Sequence, residues 1–322
     1  MKAIRVERPG GREMLQPMTV PDLRPERGQL LIAIEFAGVN FIDVYYRQGL
    51  YPAACPFTPG TEAAGTVIDV GADAGDFRVG DRVAYQGVMG AYAEQAVVPA
   101  DRAIRLPEDV STRQAAALML QGLTAHYLAT STYPLKTGDT CLVHAAAGGV
   151  GLLLCQLAKL RGAQVIGTVS TAHKAELARG AGADHLIQYT TQDFVAETRR
   201  FTGNQGVQVV YDSVGRVTFE HSLACLAPRG LMVLFGQSSG PVPPFNPQVL
   251  NQAGSLYLTR PTLAHYVATR AELLSRAGEL FELLGSGRLA VRIDRELALK
   301  DAAEAHRALE GRETMGKILL IP

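Results

Sequence analysis

Two rhythms of apolar and polar positions divide the chain. Up to about residue 122 the runs are short and mostly alternate with a period of two. Gln29-Leu-Leu-Ile-Ala-Ile-Glu-Phe36, Gly65-Thr-Val-Ile-Asp-Val70 and Asp81-Arg-Val-Ala-Tyr85 predict strands, and Met1-Lys-Ala-Ile-Arg-Val-Glu7 alternates like an edge strand. Gly, Pro and Asp punctuate the gaps, as at Val79-Gly-Asp81, which fits a compact β-rich domain. From about residue 123, apolar strands alternate with helical patterns. Strands are predicted at Thr140–Ala145, Gln164–Val169, His185–Gln188, Val207–Asp212, Leu231–Phe235 and Ser255–Thr259. This alternation is that of an open parallel sheet wound on both faces. Beyond about 260 it stops. Two helices, around Arg270–Leu284 and Asp301–Leu309, and a last strand, Lys317–Ile321, are expected to return to the first domain, with Asp301 and Glu304 in capping-box spacing. The expected fold class is α/β: a doubly wound parallel sheet over 123–259 and a discontinuous β-rich domain from 1–122 and 260–322.

The richest stretch is Gly138-Asp-Thr-Cys-Leu-Val-His-Ala-Ala-Ala-Gly-Gly-Val-Gly151, an apolar strand that breaks into a glycine turn and opens a helix. In that helix Val150, Leu153, Leu154, Leu157 and Ala158 fall on one stripe, Gln156, Lys159 and Arg161 face away, and Gly162 stops it. Strand, glycine turn and helix in this order present backbone N–H groups to a pyrophosphate, as in a Rossmann G-x-G-x-x-G motif. Here Ala146 replaces the first glycine. Gly148 admits the pyrophosphate, and Gly151 lets helix and strand pack closely.

The next strand selects the dinucleotide. NAD enzymes carry an acidic residue about 20 residues on for the ribose hydroxyls. Val165-Ile-Gly-Thr-Val-Ser170-Thr-Ala-His-Lys174 has no carboxylate there, but hydroxyls and a lysine. This favours the 2′-phosphate of NADPH, through a charge-assisted bond from Lys174.

Other classes lose support. Thirty-one basic residues balance thirty-one acidic ones, so no broad nucleic-acid or membrane-surface field is expected. No apolar run approaches the roughly 20 residues of a membrane span, and no signal peptide opens the chain, so a cytoplasmic location is expected. Cys55, Cys141, Cys155 and Cys225 form no CxxC, the histidines no i, i+4 pair, and there is no Gly-x-Ser-x-Gly elbow. Cys141 and Cys155 are expected to be buried thiols.

The chain resembles the zinc-free, NADPH-dependent quinone oxidoreductases of the medium-chain dehydrogenase/reductase superfamily, the branch that includes zeta-crystallin, and especially their bacterial members. The resemblance rests on the glycine-turn signature with Gln156 and Lys159, on Asn40-Phe-Ile-Asp43, Gly60-Thr-Glu-Ala-Ala-Gly65, Tyr211-Asp-Ser-Val-Gly215, Gly254-Ser-Leu-Tyr-Leu-Thr-Arg-Pro261 and Leu319-Leu-Ile-Pro322, and it covers essentially the whole chain. It implies a Rossmann domain with a GroES-like domain, and reduction of a quinone in the interdomain cleft. Where zinc-dependent relatives place a Cys and a His, Asn40 and Thr61 stand, both poor zinc ligands, and the four-cysteine lobe between Gln86 and Arg105 is missing, so no metal is expected.

The resemblance also assigns residues. Ser170, Lys174 and Tyr189 would surround the 2′-phosphate. Ser213, Gly215, Phe235, Gly236 and Ser238 would lie along the cofactor. Thr124, Gly149 and Val150, with Gly148 and Gly151, would approach its phosphates and ribose. Asn40, Asp43 and Tyr45 would line the nicotinamide end, Arg260 would close the cleft, and Tyr45 and Tyr51 would join Asn40 around the substrate. Asn40 and a tyrosine hydroxyl are expected to donate to a developing oxyanion, and no general acid is assigned. A homodimer through the Rossmann edge strand is expected. The rival readings are an NADPH-dependent reductase of activated C=C bonds such as 2-alkenals, and a non-catalytic NADPH- or RNA-binding protein.

Overall fold

The computed structural model describes residues 1–322. The chain runs β1 (Lys2–Arg5), β2 (Gln16–Thr19), β3 (Gln29–Val39), α1 (Phe41–Gln48), β4 (Glu62–Val70), β5 (Arg82–Gln86), β6 (Gln95–Pro99), β7 (Ile104–Arg105) and α2 (Thr112–Tyr127). It continues with β8 (Thr140–Val143), α3 (Gly149–Leu160), β9 (Gln164–Val169), α4 (Ala172–Gly180), β10 (His185–Gln188), α5 (Phe194–Phe201), β11 (Val207–Asp212), α6 (Phe219–Cys225), β12 (Leu226–Leu234), α7 (Gln248–Gln252) and β13 (Tyr257–Thr259). It ends with α8 (Leu263–Tyr266), α9 (Arg270–Gly285), β14 (Ile293–Ala298), α10 (Ala302–Glu310) and β15 (Lys317–Ile321). No helix is long and apolar enough to cross a membrane.

Two compact units result, Met1–Leu123 with Val267–Pro322, and Thr124–Tyr266. The second boundary falls later than residue 259, because Tyr266 stacks on Tyr127 (ring centroids 4.2 Å apart) and its hydroxyl accepts from Thr132.

The discontinuous unit holds a seven-stranded sheet in the order β14-β15-β3-β4-β5-β7, with β6 also paired to β3, and a separate β1–β2 ribbon. β3 is the hub: it pairs antiparallel with β4, β6 and β15. Its Leu30, Ile32, Ala37 and Val39 pack into a core with Val67, Val83, Tyr85, Tyr92, Ile318 and Leu320.

The continuous unit is a six-stranded, all-parallel sheet in the order β10-β9-β8-β11-β12-β13. The order reverses between β8 and β11, and in open sheets of this kind ligands bind beyond the strand ends at that point. α3 is more enclosed than a single stripe requires. Leu152 and Cys155, off the expected face, are also buried. β12 is longer than expected, because it passes through Pro228-Arg229-Gly230 with a register shift against β11.

The expected cap at Asp301 is not formed. A 3-10 turn at Leu299–Asp301 runs straight into α10, and Glu304 pairs with Arg307 instead. Cys141, Cys155 and Cys225 are buried, and Cys55 is exposed.

Candidate active site

In the continuous unit the site begins where β8 ends. Ala145 takes a left-handed φ of 51°, the Gly148 N–H closes a turn onto the Ala145 carbonyl at 2.8 Å, and α3 starts with Gly148 as its cap. A Cβ at Gly151 would lie 2.3 Å from the Ala145 oxygen, so only glycine lets the helix pass this close to the turn. No acidic side chain occupies the first turn of α3 or α4, so both helix dipoles stay open to an anion.

At the end of β9 stand Ser170 and then Thr171, whose hydroxyl caps α4 by accepting from the Lys174 N–H at 3.2 Å. The end of β10 is tied alongside. The Tyr189 N–H donates to the Val169 carbonyl and the Thr190 hydroxyl to the Ser170 carbonyl, both at 3.1 Å. The structure thus brings Ser170, Lys174 and Tyr189 to adjacent strand ends, with the Tyr189 ring 40% exposed.

Beyond β11, Asp212 accepts from the N–H groups of Val214 and Gly215, at 2.7 and 3.0 Å. Its carbonyl receives the Phe235 N–H at 2.9 Å and that of Gly236 at 3.3 Å, and the Ser238 N–H reaches the Ser213 carbonyl. Ser213, Gly215, Phe235, Gly236 and Ser238 therefore form one set of interlocked loops. Thr124 is buried on α2. Arg260 is exposed past β13, with its guanidinium on the Pro261 carbonyl at 3.3 Å.

In the discontinuous unit, Asn40 follows β3 and caps α1. It is 4% exposed, and its amide is fully engaged: Nδ2 donates to the Gly38 carbonyl (3.3 Å) and Glu62 (2.8 Å), and Oδ1 accepts from the Lys317 ammonium at 2.8 Å. Donation from Asn40 to a developing oxyanion would therefore break one of these bonds. Glu62 and Lys317 are both fully buried and paired, and the second Glu62 oxygen accepts the Leu120 N–H at 2.6 Å.

α1 ends at Gly49 in the left-handed region, φ 75°, which folds the chain back so that Leu50 donates to the Tyr45 carbonyl. That turn sets the Tyr51 ring edge-on to Tyr45 and Tyr46, with centroids 5.3 and 5.8 Å apart. Tyr45 is 8% exposed.

The Asp43 carboxylate, expected at the nicotinamide end, is wholly enclosed. It accepts from the Asn40 N–H (2.9 Å), the Tyr92 hydroxyl (3.0 Å) and the Thr61 hydroxyl (3.4 Å). Behind Tyr92 lies His306, with Nε2 3.1 Å from the Tyr92 oxygen and Nδ1 3.1 Å from the Arg47 guanidinium, which itself holds Glu310 with two bonds. Arg47 only donates, so His306 Nδ1 accepts and Nε2 carries the proton. Every donor in the row therefore points toward Asp43. Burial pushes the Asp43 carboxyl up to about 7 against these donors and the Lys317 charge. Burial and then the Arg47 charge drive His306 down to about 3.

Sequence reasoning missed Tyr92, His306, Arg47 and Lys317. Their signal was weak: polar residues in otherwise apolar settings, such as Lys317 opening Lys-Ile-Leu-Leu-Ile.

Residues 26–108 match the alcohol dehydrogenase GroES-like domain family and residues 149–276 the zinc-binding dehydrogenase family. The residues here do not fit the zinc that the second description implies. An amide and a hydroxyl replace the soft ligands, the Thr61 hydroxyl is given to Asp43, and the Lys317 ammonium already binds Asn40 Oδ1 and Glu62.

A quinone oxidoreductase of Salmonella typhimurium is 48% identical, over 99% of this chain and 100% of its own. A 2-haloacrylate reductase of a Burkholderia species is 42% identical over 92% of each chain. The crystal structure of Escherichia coli quinone oxidoreductase complexed with NADPH superposes with a TM-score of 0.98 at 48% identity, over the full length of both chains. Glycine turn, parallel-sheet order and full-length similarity agree: the chain belongs to the quinone oxidoreductase family of the medium-chain dehydrogenase/reductase superfamily.

Proposed function

We propose that the chain is an NADPH-dependent quinone reductase that works without a metal. The observation that carries this reading is the convergence of the Ala145–Gly151 turn, the Ser170–Lys174 segment and the Ser213–Gly215 loop on the ends of neighbouring parallel strands, with no carboxylate at the end of β9. N–H groups at the start of α3 hold the pyrophosphate. Ser170, Lys174 and Tyr189 hold the 2′-phosphate. The Ser213, Gly215, Phe235, Gly236 and Ser238 loops, with Thr124 and Arg260, line the rest of the dinucleotide.

NADPH, when bound, supplies the reducing equivalents, and the quinone takes up protons to become a hydroquinone. A quinone is already electron-poor, so the protein's task is position and electrostatics. Tyr45 and Tyr51 offer flat aromatic faces beside Asn40 for the acceptor ring.

The test is NADPH oxidation at 340 nm with a quinone, a 2-alkenal or no acceptor, in a strong chelator. Turnover of the quinone is expected. Turnover of the alkenal alone would replace this reading with a reductase of activated C=C bonds, which the similarity to the haloacrylate reductase favours. Loss of activity on chelation would overturn the metal-free part.

Lys174→Ala is expected to weaken NADPH roughly 10- to 150-fold by removing a charge-assisted bond, and NADH far less. Calorimetry with both nucleotides checks it; equal losses would remove Lys174 from the 2′-phosphate site.

β13 pairs only with β12 and lies at the edge of the parallel sheet, with Tyr257 exposed, which supports a homodimer formed along that edge. Three buried unpaired thiols support a cytoplasmic setting.

A further inference from the structure

The ends of β8, β9 and β11 are joined by buried side chains that the glycine turn does not explain. His144 follows β8 and leads into the Ala145–Gly151 turn. Its Nδ1 lies 3.0 Å from the Thr168 hydroxyl near the end of β9, and its Nε2 lies 2.9 Å from the Ser222 hydroxyl on α6. Ser222 is 3.2 Å from Asp212 Oδ2, the last residue of β11, which also takes the Thr218 hydroxyl at 2.7 Å. None of Thr168, His144, Ser222 and Asp212 is more than 2% exposed.

The bond directions follow from donor capacity. Asp212 accepts at both oxygens: Val214 and Gly215 N–H on Oδ1, Thr218 and Ser222 hydroxyls on Oδ2. Having donated to Asp212, Ser222 accepts from His144 Nε2–H, which leaves His144 Nδ1 as an acceptor for Thr168. Burial lowers the His144 pKa and so favours the neutral ring that this row needs. Phe194 packs edge-on against the ring, centroids 5.0 Å apart, and fixes its plane.

We propose that Thr168, His144, Ser222 and Asp212 are a single positioning chain that sets the affinity for NADPH, by registering the phosphate turn against the 2′-phosphate segment and the Ser213–Gly215 loop. The inference rests on the cofactor site proposed above. None of the four touches the dinucleotide; each acts through a loop that does. Breaking the row at one link frees the imidazole to change tautomer, after which Ser222 donates to His144 and releases Asp212. Damage at either end therefore reaches the other.

The experiment measures the NADPH dissociation constant of the full chain. Thr168→Val keeps the shape of threonine and removes the hydroxyl; Ser222→Ala removes the middle link. Each is expected to weaken NADPH about tenfold, the worth of roughly one buried hydrogen bond. The two together are expected to cost little more than one alone, because they break the same chain. Thr168→Ser, which keeps the hydroxyl, is expected to stay close to the parent. Nitrogen NMR of the ligand-free chain is expected to show a neutral His144 with its proton on Nε2.

Parent-like affinity in folded Thr168→Val and Ser222→Ala, losses that multiply to about a hundredfold in the double variant, equal losses in Thr168→Val and Thr168→Ser, or a proton on Nδ1 would each overturn the positioning chain while leaving the cofactor site standing. A parent chain that does not bind NADPH would overturn both.

Discussion

Lys317→Met is expected to cost about 3–5 kcal/mol, the penalty for leaving one member of a buried ion pair without its partner. Lys317 and Glu62 are both fully buried, so Glu62 would keep its charge, or take up a proton, inside the protein. Asn40 would lose the partner of its Oδ1 and with it the orientation of its amide. A loss of that size is a large share of the roughly 5–15 kcal/mol that holds a typical domain folded. Glu62→Gln in the same chain is expected to restore most of the loss. Glutamine is uncharged and its oxygen still accepts the Leu120 N–H, so no unpaired charge stays buried. Urea unfolding checks both steps through the midpoint and its slope. A single variant as stable as the parent, or a double variant no better than the single, would show that the pair does not hold this part of the sheet.

The second large effect concerns pH. Asp43 titrates at about 7 in the folded chain against an ordinary 3.8. The folded state therefore keeps a proton that the unfolded chain has released. This contribution is complete below about pH 4 and disappears as the pH rises through 7. His306 titrates at about 3 against an ordinary 6.5, so its contribution is complete above 6.5 and is lost as the pH falls toward 3. Each is worth roughly 4–5 kcal/mol over its range, and the two oppose each other between about pH 4 and 6.5.

His306→Gln separates them, because the glutamine amide still accepts from Arg47 and donates to Tyr92 but does not titrate. It is expected to match the parent near pH 7 and to become more stable than it by roughly 3 kcal/mol at pH 4. Asp43→Asn is expected to gain on the parent in the other direction, as the pH rises from 4 to 7. Denaturant melts across this range read both. A His306→Gln curve parallel to the parent curve at every pH would sink the assignment.

The strands of the parallel sheet and the phosphate turn could be read from the residues because their signals are local. An apolar run, a glycine cluster and a helical stripe all lie within the 21 residues from Gly138 to Ala158, and the absence of an acid near Ser170 is just as local. Asn40 and Asp43 could be picked out, but not what they do. Asn40 meets Lys317 across 277 positions of sequence, and Tyr92 meets His306 across 214, and no periodicity encodes such pairings. The same holds for His144 and Ser222, 78 positions apart. The cap misread at Asp301 has a different cause. The spacing to Glu304 is right, but the preceding 3-10 turn takes Asp301 out of the extended backbone that a capping side chain needs.

β15 lies between β14 and β3, with Ile318 opposite Val39. During synthesis, then, the Ala37–Val39 end of β3, the part of that edge that β6 leaves uncovered, leaves the ribosome long before the strand that covers it has been made. At about 5–20 residues per second the separation of 277 positions from Asn40 to Lys317 is a delay on the order of 15–60 s. Throughout it the nascent chain carries an open apolar edge while the whole of Thr124–Tyr266 is being produced. That interval is when the newborn protein is most exposed to mispairing, and when a chaperone has the most to shield.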